Sequence, residues 1–124
     1  MKATSTSITQ VATIGIPVSD QNRALEFYVQ TLGFEKRRDV PFGGTRWIEV
    51  APQGAETTIA LVPAGARIPA GIRLATEDAN SDHANLRASG VDADPEVMRM
   101  GELVPPMFSF RDPDGNSIVI VGVA

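Results

Sequence analysis

The side chains best suited to chemistry are Trp47, Glu49 and Arg73, which stand in stretches typical of buried strands. An indole ring offers a flat surface for an aromatic or planar ligand. Because burying a lone charge is costly, we expect Glu49 and Arg73 to lie near each other, near solvent or near a polar group of a ligand. Together these residues predict a small-molecule pocket with an aromatic plate and a few charges.

A purely structural interpretation stays open for each of these residues. Trp47 can be packed core with no ligand, and Glu49 and Arg73 can pair with each other or reach solvent at a rim. Flexible methionines would give such a pocket an adaptable apolar wall. The candidates for that wall are Met98, Met100 and Met107.

Two other ionisable residues are weaker candidates. His83 lies at a packing position of a predicted helix, and neighbouring helix positions point apart, so Ser81-Asp82-His83 is not a catalytic triad. Glu102 lies in a predicted loop, where it is either a base near the mouth of the pocket or a solvated acid.

Strand alternation decides which side chains share a face. On strand 45–51, Trp47 and Glu49 point to one face, and on strand 71–76 Arg73 does the same. The other face of these strands, and of strand 57–62, should pack against helices. The residues expected on that helix-facing side are Ile48, Val50, Ile59, Leu61, Ile72 and Leu74.

Two helices are predicted to cover those faces. The first begins at an acidic cap, Ser19 or Asp20, and ends at Gly33. Its buried stripe is predicted to be Ala24, Phe27, Tyr28 and Leu32. The second helix covers residues 79–89, and its stripe is predicted to be Ala79, His83 and Leu86.

Each helix belongs to a repeated pattern of strand, helix and three strands. The first copy ends in a hairpin around Pro52-Gln53-Gly54 and the second in a hairpin around Asp112-Pro113-Asp114-Gly115-Asn116, both with turn residues. We therefore predict one α+β domain over residues 1–124, built of two βαβββ modules at about 9–63 and 70–121. The uncovered faces of the two sheets should enclose a half-open, barrel-like cavity.

Composition excludes several other classes of protein. The 124 residues are 43% hydrophobic and include no apolar run long enough to span a membrane. A net charge of −4 argues against nucleic-acid binding. The sequence has no cysteine, hence no disulfide or thiolate site, and no secretory signal is visible. These features predict a cytoplasmic protein.

The ordered motifs resemble those of one known family. The matching segments are Ile14-Gly15-Ile16-Pro17-Val18-Ser19-Asp20, Ala24-Leu25-Glu26-Phe27-Tyr28, Leu32-Gly33-Phe34 and Asp112-Pro113-Asp114-Gly115-Asn116. Their order and spacing are similar to those of the vicinal-oxygen-chelate superfamily, which includes glyoxalase I, ring-cleaving dioxygenases and bleomycin-resistance proteins. The resemblance implies a ligand-binding cavity, a homodimer and usually a divalent metal.

The metal positions that the resemblance implies lack metal ligands here. They fall on Thr13, Ala60, Gly71 and Val119, where the family has His, Glu or Gln. A divalent ion needs about three protein ligands, and only the Thr13 hydroxyl could serve, poorly. We therefore predict no metal or other cofactor. The predicted ligand-binding residues are Thr13, Trp47, Glu49, Arg73, Met107 and Val119.

Three functions fit this sequence. The first is a metal-independent protein that binds and sequesters a small organic molecule, as in the bleomycin-resistance branch. The second is an enzyme of glyoxalase or dioxygenase type, a lyase or oxidoreductase, with an atypical metal site or with metal-free acid–base work by Glu49. The third is a structural or regulatory dimer whose cavity is filled by its own side chains.

Overall fold

The structure is a computed structural model that describes residues 6–66, 70–102 and 104–122. Strands and two short helices make it α+β, as the sequence predicts. The chain divides into two compact units, Ala12–Ile72 and Met1–Val11 with Arg73–Ala124. We call the first the Trp47 unit and the second the Arg73 unit. Within the described residues, no helix is long and apolar enough to cross a membrane.

The Trp47 unit has the strand order β2-β3-β4-β1. Its elements are β1 (Ile8–Val18, of which residues 8–11 belong to the Arg73 unit), α1 (Gln21–Glu26), a π-helical segment (Phe27–Thr31), β2 (Glu35–Phe42), β3 (Thr45–Ala51) and β4 (Thr58–Pro63). β1 runs parallel to β4, and β3 is antiparallel to both β2 and β4. The side chain of Asp20 accepts a hydrogen bond from the backbone N–H of Arg23 at 3.1 Å and so caps α1, as predicted.

The core of this unit confirms the predicted strand faces. Ile48, Val50 and Leu61 are buried together, and Ile59 packs against them. The helical residues that reach this core are Ala24, Leu25, Tyr28 and Val29. Because side chains alternate along β3, Trp47 and Glu49 lie on the side away from α1.

The predicted stripe of the first helix is wrong at two positions. Phe27 and Leu32 are 49% and 48% exposed, whereas Leu25 and Val29 pack inward. The helix changes to π geometry after Glu26, and the N–H of Leu32 bonds the carbonyl of Phe27, five residues earlier. This wider turn shifts Leu32 around the axis relative to an α-helix, so an α-helical spacing misplaces it. Phe27 precedes the turn, since its N–H still bonds the carbonyl of Arg23, and its ring packs edge-on against Tyr28.

The Arg73 unit has the strand order β5-β8-β7-β6. Its elements are β5 (Gly71–Thr76), α2 (Ala79–Ala88), β6 (Asp92–Ala93), β7 (Met107–Arg111) and β8 (Ser117–Gly122). Phe108, Ile120 and Ala93 form its core, against which Leu74 and Leu86 pack. The predicted strand 92–98 is wrong in length, because pairing as β6 stops at Ala93 and resumes only as an isolated bridge between Met98 and Met107.

The turn between β7 and β8 has the predicted geometry. Gly115 has φ +85°, which suits glycine. Asp112 accepts hydrogen bonds from the backbone N–H groups of Asp114 and Asn116 and from the side chain of Asn116, each at 2.9 Å. The Asn116 side chain is the main cause of the lowered pKa of Asp112.

Two carboxylates, Asp82 in α2 and Asp94 directly after β6, stabilise the fold. Asp82 is 1% exposed and accepts hydrogen bonds from the Ser7 N–H at 2.8 Å and from the Thr76 hydroxyl. Burial alone would raise the pKa of Asp94, but hydrogen bonds from the side chain of Arg111 and the N–H of Ser109 hold it below its usual value.

His83 lies where helix packing was predicted. Its ring meets Phe108 edge-on with 4.9 Å between centroids, and its Nε2 lies 2.7 Å from the carbonyl oxygen of Asp94. The ring is thus engaged by the core of the Arg73 unit. Glu102 is an exposed turn residue.

Candidate functional site

Four side chains of the Trp47 unit form a continuous hydrogen-bonded row across three strands. The indole Nε1–H of Trp47 donates to Glu49 Oε2 at 2.5 Å. The hydroxyl of Thr58 donates to Glu49 Oε1 at 2.7 Å, and Thr13 Oγ1 lies 3.1 Å from Thr58 Oγ1. We call these four residues the Glu49 row.

Strand register explains why these four residues meet. Thr13 on β1 pairs directly with Thr58 on β4, and Glu49 on β3 pairs with Ala60, two residues further along β4. Residues two apart on a strand share a face, so Thr58 is the diagonal neighbour of Glu49. Trp47 and Glu49 are likewise two apart on β3.

The direction of each hydrogen bond in the row follows from the number of available protons. A threonine hydroxyl has one proton, and the proton of Thr58 goes to the carboxylate of Glu49. The contact between the two threonines therefore has Thr13 as donor and Thr58 as acceptor. Every side-chain donor of the row points toward Glu49.

The row runs from a buried end to a partly exposed end. Thr13 and Thr58 are 6% and 7% exposed, whereas Trp47 and Glu49 are half-buried. The ring of Phe42 lies beside that of Trp47, with 6.4 Å between centroids and 53° between planes. The accessible part of the row is thus an aromatic surface with a carboxylate next to it.

The remaining predicted site residues lie in the Arg73 unit. A guanidinium nitrogen of Arg73 lies 3.9 Å from the sulfur of Met107, and Arg73 pairs in register with Val119. Val119 is 5% exposed, while Arg73 and Met107 are half-buried. Of the predicted residues, the structure therefore links Thr13, Glu49 and Trp47 in one unit and Arg73, Met107 and Val119 in the other.

Thr58 is the site residue that sequence reasoning missed. Alternation on β4 already puts it on the same face as Ala60 and opposite Ile59. Nothing in the sequence singles it out, because threonine is common on strands and only the register with β1 and β3 brings it between Thr13 and Glu49.

Two shallow depressions lie on the helix side of the Trp47 unit. The first is lined by Asn22, Leu25, Glu26, Val29, Gln30 and Lys36, and the second by Arg23, Glu26, Phe27 and Thr31. Neither includes a member of the Glu49 row. The candidate site is therefore defined by the side chains of the row itself.

The positions that the family resemblance assigns to a metal do not fit one. The Thr13 hydroxyl is engaged with Thr58, and Ala60, Gly71 and Val119 have no ligand atom in their side chains. In the described residues, no three His, Cys, Asp or Glu side chains come close enough to share an ion. Divalent ions bound by protein need about three such ligands.

Comparison with known proteins identifies the family. Residues 10–120 match the model of the Glyoxalase/Bleomycin resistance protein/Dioxygenase superfamily. The chain belongs to this superfamily. The resemblance to vicinal-oxygen-chelate proteins is thus confirmed, and the α+β fold of the superfamily with it.

Individual relatives include both uncharacterised proteins and solved structures. The uncharacterised protein YetH of Bacillus subtilis is 31% identical over 91% of this chain and 98% of its own length. Methylmalonyl-CoA epimerase from Mycobacterium tuberculosis is 25% identical, covers 100% of this chain and 93% of its own, and has a TM-score of 0.79. An antibiotic-binding protein, TnmS3 of Streptomyces sp. CB03234, is 36% identical over 95% of this chain and 98% of its own, but its TM-score of 0.46 is too low for a functional comparison.

The Glu49 row can be tested through its central hydroxyl. Thr58→Val keeps the shape of the side chain but leaves Glu49 Oε1 without its donor and Thr13 without its acceptor. We expect the free energy of unfolding to fall by about 1–3 kcal/mol, the cost of leaving buried polar groups unsatisfied. Urea denaturation of the two proteins measures this difference.

The matched control is Thr58→Ser, which keeps the hydroxyl and removes one methyl group, worth about 0.8 kcal/mol. The serine variant should be more stable than the valine variant. A valine variant as stable as the wild type would show that the row contributes nothing to folding.

Proposed function

We propose that this protein binds a small planar organic molecule without using a metal, and that the ligand packs on Trp47. The observation that carries the proposal is the hydrogen bond from the Trp47 indole to Glu49. This bond holds the ring in one orientation on the sheet face away from α1. A pre-oriented aromatic surface binds at a lower entropic cost than a mobile one.

The surroundings of Trp47 support this assignment. Phe42 extends the aromatic surface, and the half-buried carboxylate of Glu49 supplies a polar contact. Membership of a superfamily that includes bleomycin-resistance proteins agrees with a binding role. Thr13 contributes through Thr58, and we propose Arg73, Met107 and Val119 as the ligand-contacting residues of the Arg73 unit.

An enzymatic role for the same residues is the second candidate. Each oxygen of the Glu49 carboxylate accepts one hydrogen bond from the row and keeps a further lone pair, so an oriented base is available for metal-free proton transfer. The likeness to methylmalonyl-CoA epimerase favours keeping this candidate. Incubation in D2O followed by mass spectrometry of the recovered ligand separates the two. A base that removes and returns a carbon-bound proton introduces deuterium, whereas a binding protein returns the ligand with its carbon-bound protons unchanged.

The ligand is to be sought by thermal-shift screening of planar aromatic compounds, since a compound that binds only the folded state raises Tm. For a compound found this way, Trp47→Ala should weaken binding by about 1.5–3 kcal/mol, the value of burying a large apolar side chain. Trp47→Phe keeps an aromatic surface and should weaken binding less than Trp47→Ala does. Calorimetric titration gives the affinities.

The neighbouring residue Ile48 is the control, because it is 0% exposed in the core on the helix side. Ile48→Ala should cost about 2–5 kcal/mol of stability and leave the affinity of the folded protein nearly intact. Ile48→Val, at about 0.5–1.5 kcal/mol, serves if the alanine variant does not fold. If the affinity fell in the Ile48 variants and stayed unchanged in Trp47→Ala, the two faces of β3 would have been assigned the wrong way round.

Metal independence rests on the poor ligand set at Thr13, Ala60, Gly71 and Val119. We expect elemental analysis of the purified protein to find no stoichiometric Ni, Zn, Fe, Mn or Mg, and we expect chelation to leave Tm unchanged. About one ion per chain, lost together with stability on chelation, would overturn this and favour the enzyme.

We further propose that the protein is a homodimer. The Trp47 unit leaves Ile14, Phe27, Leu32 and Val40 between 40% and 49% exposed, and large exposed apolar side chains favour association. Sedimentation velocity at tens of micromolar should show a dimer, and a monomer alone would refute it. A cytoplasmic location stays a prediction.

A further inference from the structure

The Glu49 carboxylate is half-buried, and its partners among the described residues are all neutral. Its two hydrogen bonds come from an indole and a hydroxyl, and no ion pair of the described residues includes it. Asp39 is paired with Arg46, and Asp92 and Asp94 with Arg111. A half-buried carboxylate without a cation is electrostatically incomplete, because it has lost part of its hydration without a compensating charge.

Asp82 is the useful comparison, since it also has only neutral donors. At 1% exposure it is sealed inside the Arg73 unit and can meet no ligand. Glu49 keeps access to solvent. Its unmet charge is therefore available to a molecule from outside.

The direction of the hydrogen bonds limits what such a molecule can be. All the side-chain donors of the row are spent on Glu49 or on Thr58. What the exposed end of the row still offers is lone pairs on a carboxylate. A ligand that meets this end must bring a hydrogen-bond donor, and an anion or a pure acceptor would be repelled.

The neighbouring indole favours the same type of ligand. The face of a tryptophan ring attracts a cation within about 6 Å of its centroid, more strongly than tyrosine or phenylalanine does. Trp47 is tied to Glu49 by its N–H, so ring and carboxylate stand side by side. Both groups therefore favour a ligand with a positive charge.

We propose that the Glu49 row recognises a planar ring compound that carries a protonated amine or similar cationic donor beside its ring. This inference rests on the proposed function and specifies the ligand class of that site. The ring of the ligand packs on Trp47, and its cationic group forms an ion pair with the carboxylate of Glu49.

Three compounds with one ring system test the proposal: 2-naphthylmethylamine, 2-naphthylmethanol and 2-naphthoate. Calorimetric titration at pH 7 should place them in the order amine, alcohol, carboxylate. The amine should bind at least about tenfold more tightly than the alcohol, the lower end for a hydrogen bond to a charged group. Because these titrations use only the wild-type protein, the test does not depend on a variant that might fail to fold.

The variant Glu49→Gln assigns the preference to its residue. Glutamine has the same shape and can accept from Trp47 and donate to Thr58, but it carries no charge. In this variant the amine should bind within about threefold of the alcohol. Glu56→Gln, in an exposed loop of the same unit, changes the net charge of −4 by the same amount and should keep the tenfold preference.

The outcomes separate this inference from the proposed function. Naphthoate binding as tightly as the amine, or a preference that survives Glu49→Gln, overturns the cationic ligand class alone. If all three compounds bind equally and Trp47→Ala weakens them all, the ring-binding function stands and this inference fails. If none of them binds the wild-type protein, both fail.

Discussion

The hydration that Glu49 loses in the middle of β3 is the constraint on which the Trp47 unit depends. A carboxylate on a strand between buried neighbours must recover that hydration through hydrogen bonds. Here the two donors come from the same strand and from the next one, Trp47 and Thr58. Thr58 in turn needs a donor, which Thr13 supplies from β1. The charge of Glu49 thus fixes the orientation of hydrogen-bonded side chains on three strands.

The opposite face of the same strands shows why the row can exist. Ile48, Val50 and Leu61 satisfy the apolar requirement against α1, so the face of Trp47 and Glu49 does not have to supply the core. Strand alternation separates the two tasks residue by residue. The core of the unit and the proposed binding surface thus lie at neighbouring positions of β3.

Three carboxylates of the Arg73 unit are either paired with a cation or sealed inside the fold. Asp92 and Asp94 are balanced by Arg111, and burial of Asp82 is offset by neutral donors inside the fold. These groups hold β6, β7 and the start of α2. Among the described residues Glu49 has no cationic partner, unlike Asp92 and Asp94, and it keeps access to solvent, unlike Asp82. These two differences make it a candidate recognition group.

The sequence by itself determined most of the strands, the faces of β3 and β4, the helix cap at Asp20, the turn at Asp112 and the family. These depend on periods of two residues, on capping and turn chemistry and on ordered motifs, all of which are local. It also placed Trp47 and Glu49 on one face. Only the tertiary structure decided that Thr58 joins them, because register between strands depends on long-range pairing. It likewise decided that Leu32 faces outward, because the π turn after Phe27 breaks the 3.6-residue period on which the predicted stripe relied.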